Sequence, residues 1–575
     1  MDVSAIVKNF KKGHRRDYDG FVGYISDPNI ENSDLIQYLK GLRECISDLG
    51  KDCEYLIGAL LQVNWAYKSR AVVLEYQTVL LNLISAHSYY LRSCAKMLVK
   101  IFLPTFEKSP SATTHITDAQ REKDDQAFIH VHGLLQSIAK IVPLTPQVLM
   151  PVLVGCYPFV TKDCYIHACY VRNLLQIAQY MPVLRKQILS LIVEKMLELD
   201  ALAPRQDIQE VEDDVDEDMN IDDEVEMFEM DSENEESTPP LSDTGQDEKP
   251  MGHKDANKLD QLMDILLQFI YSVCHPKEEF DWEAAKSLYK DLLYVFDAII
   301  LKTYLSCHVQ YILFYITSFQ QQLSDGFVDY LWKKVKDPNM QPIFRQSAVA
   351  YLASYVARAK YVSVSTARTI LEFMVKWVNT YIKQASYSAS QADVVHHGPF
   401  YSVCQAIFYI FIFRHKEFLA EEDGMKFCAS LNFQTIVTCR LNPLRICLPV
   451  VVKTFSSIAR QHQIAFCDTV IEHNNRSNLP LTTLKTQGRI KLSLTNALDS
   501  FFPFDPYLLA RSQRHIEPLY RDYGGQPVVT TEEQISEDED DFLPEEAPNG
   551  ASLGKSPADF ILYGTSPGFK PMSMM

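Results

Sequence analysis

Metal or proton chemistry needs imidazoles, thiols or carboxylates gathered at ligand spacing. Two places in the chain bring histidines close, His130-Val131-His132 and His396-His397. Neither pair has a cysteine or carboxylate at metal-ligand spacing, so both read as helix-face or turn residues. The 13 cysteines are scattered, with no C-x-x-C pair. Several of them, such as Cys94, Cys169, Cys404 and Cys447, sit inside apolar stretches, which predicts buried, reduced thiols. The chain has no phosphate loop of the G-x-x-x-x-G-K-S/T kind, no G-x-G-x-x-G after a strand, no G-x-S-x-G elbow, no H-E-x-x-H and no kinase signature set. The expectation is a protein that is not an enzyme and has no cofactor and no metal.

Two other kinds of residue carry chemistry of recognition. Thr145-Pro146 fits the pattern of a proline-directed phosphorylation site, and a phosphate there would add close to two negative charges. The same Thr before Pro also suits a helix start, so cap and switch are both open readings. Ser232 and Ser536 precede acidic residues, and Ser556-Pro557 and Ser566-Pro567 are proline-directed. The second kind is basic. Trp332, Lys333, Lys334 and Lys336, then Arg345, Arg358 and Lys360, would touch DNA phosphates weakly and without reading bases, or form a solvated helix face.

These residues must be positioned by helices. Val72, Val73, Tyr76, Val79, Leu80, Leu83 and Ile84 recur at spacings of three and four within residues 69–87. Leu184, Ile188, Leu191, Ile192 and Leu199 repeat the pattern over 183–199, with Lys195 interrupting it. Leu259, Leu262, Ile265, Leu266, Phe269 and Ile270 do so over 259–274. Pro104, Pro143, Pro146, Pro158, Pro182 and Pro338 fall between such stretches and mark tight links. Helix after helix with short links predicts an all-α, HEAT-repeat-like α-solenoid whose repeat is too ragged to count.

The net charge of −19 is concentrated. Residues 206–250 hold 20 acids and one lysine, and residues 531–550 hold nine acids and no base. Outside them stand 45 acids against 54 bases, so the folded body is mildly basic. Such acidic stretches repel themselves and bury too little apolar surface to order. The predicted organisation is a lead-in at 1–30, amino-terminal repeats at 31–205, a disordered acidic loop at 206–250, carboxy-terminal repeats at 251–523 and a disordered acidic tail at 524–575. The first residues contain no long apolar run, and the longest, Ala406 to Phe413, is far short of the ~20 residues that span a bilayer. A soluble protein with no membrane partner follows. The chain starts close to its first helix.

Several blocks are specific: LMPVLV (Leu149 to Val154) after Thr145-Pro146, CHVQYILFY (Cys307 to Tyr315), LWKKVKDP (Leu331 to Pro338), HGPFYSVCQAIFYIFIFRHK (His397 to Lys416), LNPLRICLPVVV (Leu441 to Val452), IEHNNR (Ile471 to Arg476) and LDSFFPFDPYLL (Leu498 to Leu509). In this order they resemble the RNA polymerase I-specific transcription initiation factor IA family, from about residue 5 to residue 523. The resemblance implies a HEAT-repeat protein with an acidic insertion. It implies binding to the stalk region of RNA polymerase I and bridging to the promoter-bound selectivity or core factor. It also implies control by regulatory protein kinases and a place in the nucleus and nucleolus, with shuttling to the cytoplasm left open. Family members commonly carry a longer Ser/Pro-bearing leader than this chain shows.

The family's serine-rich polymerase patch corresponds here to Ser85, Ser88, Ser93, Ser137 and Thr145. The family often has Ser before that Thr, and here the residue is Leu144. Phe501, Phe502, Phe504 and Tyr507 either close the last repeat by packing or anchor a partner. The rival to the whole reading is a HEAT-type nuclear transport or assembly scaffold.

Overall fold

The computed structural model describes residues 2–104, 117–213, 251–303, 306–385, 394–477, 498 and 502–524. Among them every regular element is a helix, and one isolated antiparallel bridge pairs Ala359 with Tyr520. The fold is all-α and HEAT-repeat-like: successive helices joined by short links pack side to side. No helix among the described residues is long and apolar enough to cross a membrane. The chain divides into two compact units, Met1–Leu199 with Gln261–Phe269, and Asp200–Asp260 with Ile270–Met575.

The first unit is built from α1 (Val3–Lys11), α2 (Arg16–Ile25), α3 (Asn32–Glu44), α4 (Glu54–Leu60), α5 (Arg70–Ala86), α6 (Leu91–Ile101), α7 (Asp118–Ile141), α8 (Thr145–Gly155), α9 (Cys164–Tyr180) and most of α10 (Pro182–Leu202). The logic is clearest in α5, which packs on α3 and α7. Its buried residues are Val72, Val73, Tyr76, Val79, Leu80, Leu83 and Ile84, the face that the spacing predicts. Each such side chain fully removed from water contributes roughly 1.5–3 kcal/mol. The helix stops at His87, whose backbone leaves helical geometry. In α8 Pro146 lies in the first turn, where no intrahelical N–H is lost.

The second unit centres on α15 (Pro342–Arg358) and α17 (Val394–Ala420), which pack against each other. Before them in the chain stand the two ends of α11 (Lys254–Cys274), whose Gln261–Phe269 stretch counts with the first unit, then α12 (Trp282–Ala298), α13 (Tyr311–Ser318) and α14 (Gln321–Lys336), and α16 (Val364–Ala385) lies between. The run Ala406 to Ile412 is buried on every side, because α17 also packs on α16 and on the helix Pro449–Gln461. A helix surrounded by neighbours loses the one-sided stripe of a surface helix. The helix bends at His397, two residues before Pro399, whose ring disfavours regular helix upstream.

Two expectations change. The acidic stretch that composition predicts to be unstructured from 206 is helical over 205–213, where Ile208 is buried and Glu212 accepts from the Gly252 N–H at 2.8 Å. The remainder of that loop and almost all of the acidic tail lie outside the described residues. The end of the body is not another repeat either. Residues 502–524 form a strap with only the short helix Ala510–Ile516, because Pro503 and Pro506 interrupt helix formation. Phe504 inserts among Tyr311, Phe314, Tyr351 and Tyr355, and its N–H donates to Ser354 Oγ at 2.9 Å. Phe502, Phe504 and Tyr507 are thus buried, while Phe501 is outside the described residues.

The strap is fastened by buried polar groups. The Asp260 carboxylate accepts from the Arg511 N–H at 2.7 Å, the Ser512 N–H at 2.8 Å and the Ser512 hydroxyl at 2.5 Å. Lys360 N–H donates to the Leu519 carbonyl at 2.9 Å, and Arg521 N–H to the Arg358 carbonyl at 2.7 Å. Burial raises the Asp505 carboxyl to about 6, against the pull of Arg205 and Arg358.

Candidate protein-interaction surface

The connection from α5 to α6 presents Ser85, Ser88 and Ser93, all exposed, on consecutive turns. It is pinned from below on both sides of Ser88. His87 Nε2 lies 2.9 Å from the Ile46 carbonyl, and the Tyr90 hydroxyl donates to the Gly50 carbonyl at 2.8 Å. Burial pushes the Tyr90 hydroxyl pKa up, consistent with its anchoring role. Tyr89 stays partly exposed, with Lys51 Nζ 5.5 Å from its ring centre. Rigid backbone carrying small polar side chains suits a flat interface: little side-chain entropy is lost on contact.

The other two residues of the expected patch do not present themselves in this way. Ser137 is half-buried on α7, and its hydroxyl donates to the Gly133 carbonyl at 2.9 Å. Thr145 is 1 % exposed, and its hydroxyl donates to the Val142 carbonyl at 2.6 Å. It is neither a surface contact nor a side-chain cap, and Leu144 occupies the cap position. A phosphate cannot be added there until the turn opens. Ser232, Ser536, Ser556 and Ser566 lie outside the described residues.

Beside the serines runs a feature that periodicity does not signal. A groove of about 540 Å³ has an apolar floor that includes Leu61, Met97 and Ile101, and Ser93, Lys96 and Lys100 stand along one rim. It meets a second groove of about 620 Å³ at Gly58 and Gln62. The available sequence signal was Arg92, Lys96 and Lys100 at intervals of four, with no acid between them.

The basic set on the second unit does not form one patch. Arg358 is fully buried, 4.4 Å from the Phe413 ring centre and 5.2 Å from that of Tyr520, so it cannot reach DNA. Lys333 pairs with Asp329 at 2.6 Å and Lys334 with Asp297 at 2.5 Å. Arg345 Nε donates to the Val335 carbonyl at 2.8 Å. Lys336 and Lys360 are exposed, but α15 separates them, and its 17 residues span about 25 Å. Trp332 is buried. A continuous phosphate-tracking stripe is therefore absent from these residues.

Three of the four paired histidines, His130, His132 and His397, are held by hydrogen bonds within the fold. His132 is buried between Tyr180 Oη at 2.9 Å and Asn173 Oδ1 at 2.8 Å, and burial pushes its pKa down to about 4. His130 Nδ1 faces the Ala66 carbonyl at 3.0 Å, and His397 Nδ1 faces the Tyr381 hydroxyl at 2.8 Å. Among the described residues no three His, Cys, Asp or Glu side chains converge as a metal-ligand set.

Comparison with known proteins adds a family. Residues 2–527 match the model described as RNA polymerase I specific transcription initiation factor RRN3. The RNA polymerase I-specific transcription initiation factor RRN3 of Mus musculus is 38% identical, over 98% of this chain and 88% of its own length. The corresponding factor of Schizosaccharomyces pombe is 26% identical over 91% of this chain and 84% of its own length. The crystal structure of RNA polymerase I transcription initiation factor Rrn3 superimposes with a TM-score of 0.70 at 21% identity, covering 90% of this chain and 97% of the other. At that identity the superposition speaks for the fold.

Proposed function

The chain belongs to the RRN3 family of RNA polymerase I specific transcription initiation factors, and from that premise we propose that its first unit binds the polymerase. The family is one of initiation factors and not of enzymes, so the work is done by contact. Initiation by RNA polymerase I is nuclear work.

The face offered to the polymerase, at its stalk region, is the pinned α5–α6 connection with Ser85, Ser88 and Ser93. The exposure of these three hydroxyls on a fixed backbone carries the reading. The bound factor bridges the enzyme to the promoter-bound selectivity or core factor. Phosphorylation of the serines by regulatory kinases releases it, because a doubly charged group in a flat interface brings desolvation and repulsion. The protein concentrates in the nucleolus.

The test is capture of purified RNA polymerase I by the full chain and by its Ser88→Asp variant, with rRNA synthesis in a factor-depleted extract as the second readout. Wild-type chain captures the enzyme and restores synthesis; Ser88→Asp does neither while Ser88→Ala does both. Equal capture by Ser88→Asp removes this face from the interface.

A further inference from the structure

We infer that the groove beside Ser93 is a receptor for an acidic, extended peptide of a partner protein that carries one large apolar side chain. The inference deepens the polymerase-binding reading and rests on that face being the working one.

The chemistry of the groove is two-part. Its floor is apolar, with Leu61 and Ile101 half-buried and Met97 buried under them. Its Gly58 side is open, since a Cβ built on that glycine meets nothing within 4 Å. An apolar side chain entering there loses water on several sides at once. One rim is basic. Lys96 and Lys100 are exposed, one helical turn apart on α6, and Arg92 stands a turn before them. Among the described residues no carboxylate forms an ion pair with any of the three. The carboxylates nearest the groove system, Asp52 and Glu54, line its far end together with Lys51. Charge complementarity therefore selects an anionic chain lying along α6, with its apolar residue turned toward Gly58.

Phosphorylation of Ser93 would act on the same arrangement. A phosphate on Ser93 lies three residues before Lys96 on α6, at the spacing where helical side chains meet, and pairs with it in cis. The rim then offers the incoming peptide less positive charge and an added negative group. Phosphorylated Ser93 weakens the site in this way, without any change of fold.

The experiment uses the full chain and a short fluorescein-labelled peptide of Asp and Glu with one central Phe, read by fluorescence anisotropy at low salt. Lys96→Glu with Lys100→Glu should weaken binding by about tenfold or more. Gly58→Leu, which fills the groove and leaves every charge in place, should weaken it by about tenfold. Both variants keep the wild-type melting temperature, because neither touches the core. Ser93→Asp weakens binding in the same direction, by less than a phosphate would. Undiminished binding by both the lysine and the Gly58 variants overturns the inference. So does equal binding of a peptide with Phe replaced by Gly, or binding that appears only once residues 105–116 are deleted. Because the free protein and a peptide are measured, this result stands separately from polymerase capture.

Discussion

The Asp200 carboxylate and the His308 imidazole lie 2.9 Å apart, from positions 108 apart in the chain, and neither side chain is exposed. The same carboxylate accepts from the Ser306 hydroxyl at 2.8 Å and from the N–H groups of Cys307 at 2.9 Å and His308 at 3.1 Å. Burial alone would raise the Asp200 pKa, but His308 and these hydrogen bonds outweigh it and hold it below the ordinary carboxylate value. A lowered carboxyl contributes stability above its unfolded pKa and loses it as pH falls through the folded one. Asp200→Asn should therefore lower stability at pH 7 by about 3 kcal/mol, and the difference from wild type should shrink in acid. Urea unfolding at stepped pH measures both; a difference that is constant with pH contradicts the account.

His132 predicts the opposite kind of group with the same direction in acid. Its pKa is pushed down to about 4 by burial, so the unfolded chain takes up a proton at higher pH than the folded one. Stability from this site is complete above about pH 7 and falls between the ordinary histidine value and about 4, by about 3 kcal/mol in all. His132→Leu, less stable at pH 7 for want of its hydrogen bonds to Asn173 and Tyr180, should lose less on acidification than wild type does. Parallel stability curves for the two proteins would sink this explanation.

Thr145→Asp should act on folding before it acts on any partner. The side chain is buried, so an added carboxylate loses water without gaining a cation, at a cost of about 2 kcal/mol or more. Thr145→Val, which gives up only the bond to Val142, should cost about 1 kcal/mol. Differential scanning of the three proteins separates these costs. If Thr145→Asp melts like wild type, the turn opens far more readily than its burial implies.

Arg358→Met should destabilise the second unit by about 3 kcal/mol while leaving any attraction for DNA unchanged. The guanidinium packs on Phe413 and Tyr520 and donates to the Arg521 carbonyl at 3.3 Å, so its loss loosens the strap. Faster proteolysis within 502–524 is the expected sign. Weakened DNA retention with unaltered proteolysis would restore Arg358 to the surface.

The helical fold was legible because apolar residues repeat every three or four positions, as along α5. The resemblance blocks were legible for a related reason: HGPFYS and FFPFDP are unusual combinations fixed by tight packing around Phe504 and Tyr401. Arg358 and Thr145 misled for opposite reasons. Charge is a good guide to exposure only until an arginine finds aromatic faces and a carbonyl inside the fold. A threonine before proline reads the same whether its hydroxyl points to solvent or back to the preceding turn. The groove rim was hidden because Lys96 and Lys100 gain meaning only from Gly58, which lies on another helix.

The strap has a consequence for synthesis. Asp260, Ser354 and Arg358 leave the ribosome long before residues 502–524 do, yet each of them takes a hydrogen-bond partner from those residues. Until translation has passed that point, the Asp260 carboxylate of the nascent second unit lacks the N–H and hydroxyl groups of Arg511 and Ser512 that donate to it. Messages broken upstream of Phe502 would therefore yield chains recognised as unfinished by the quality-control machinery, whatever the state of their first unit.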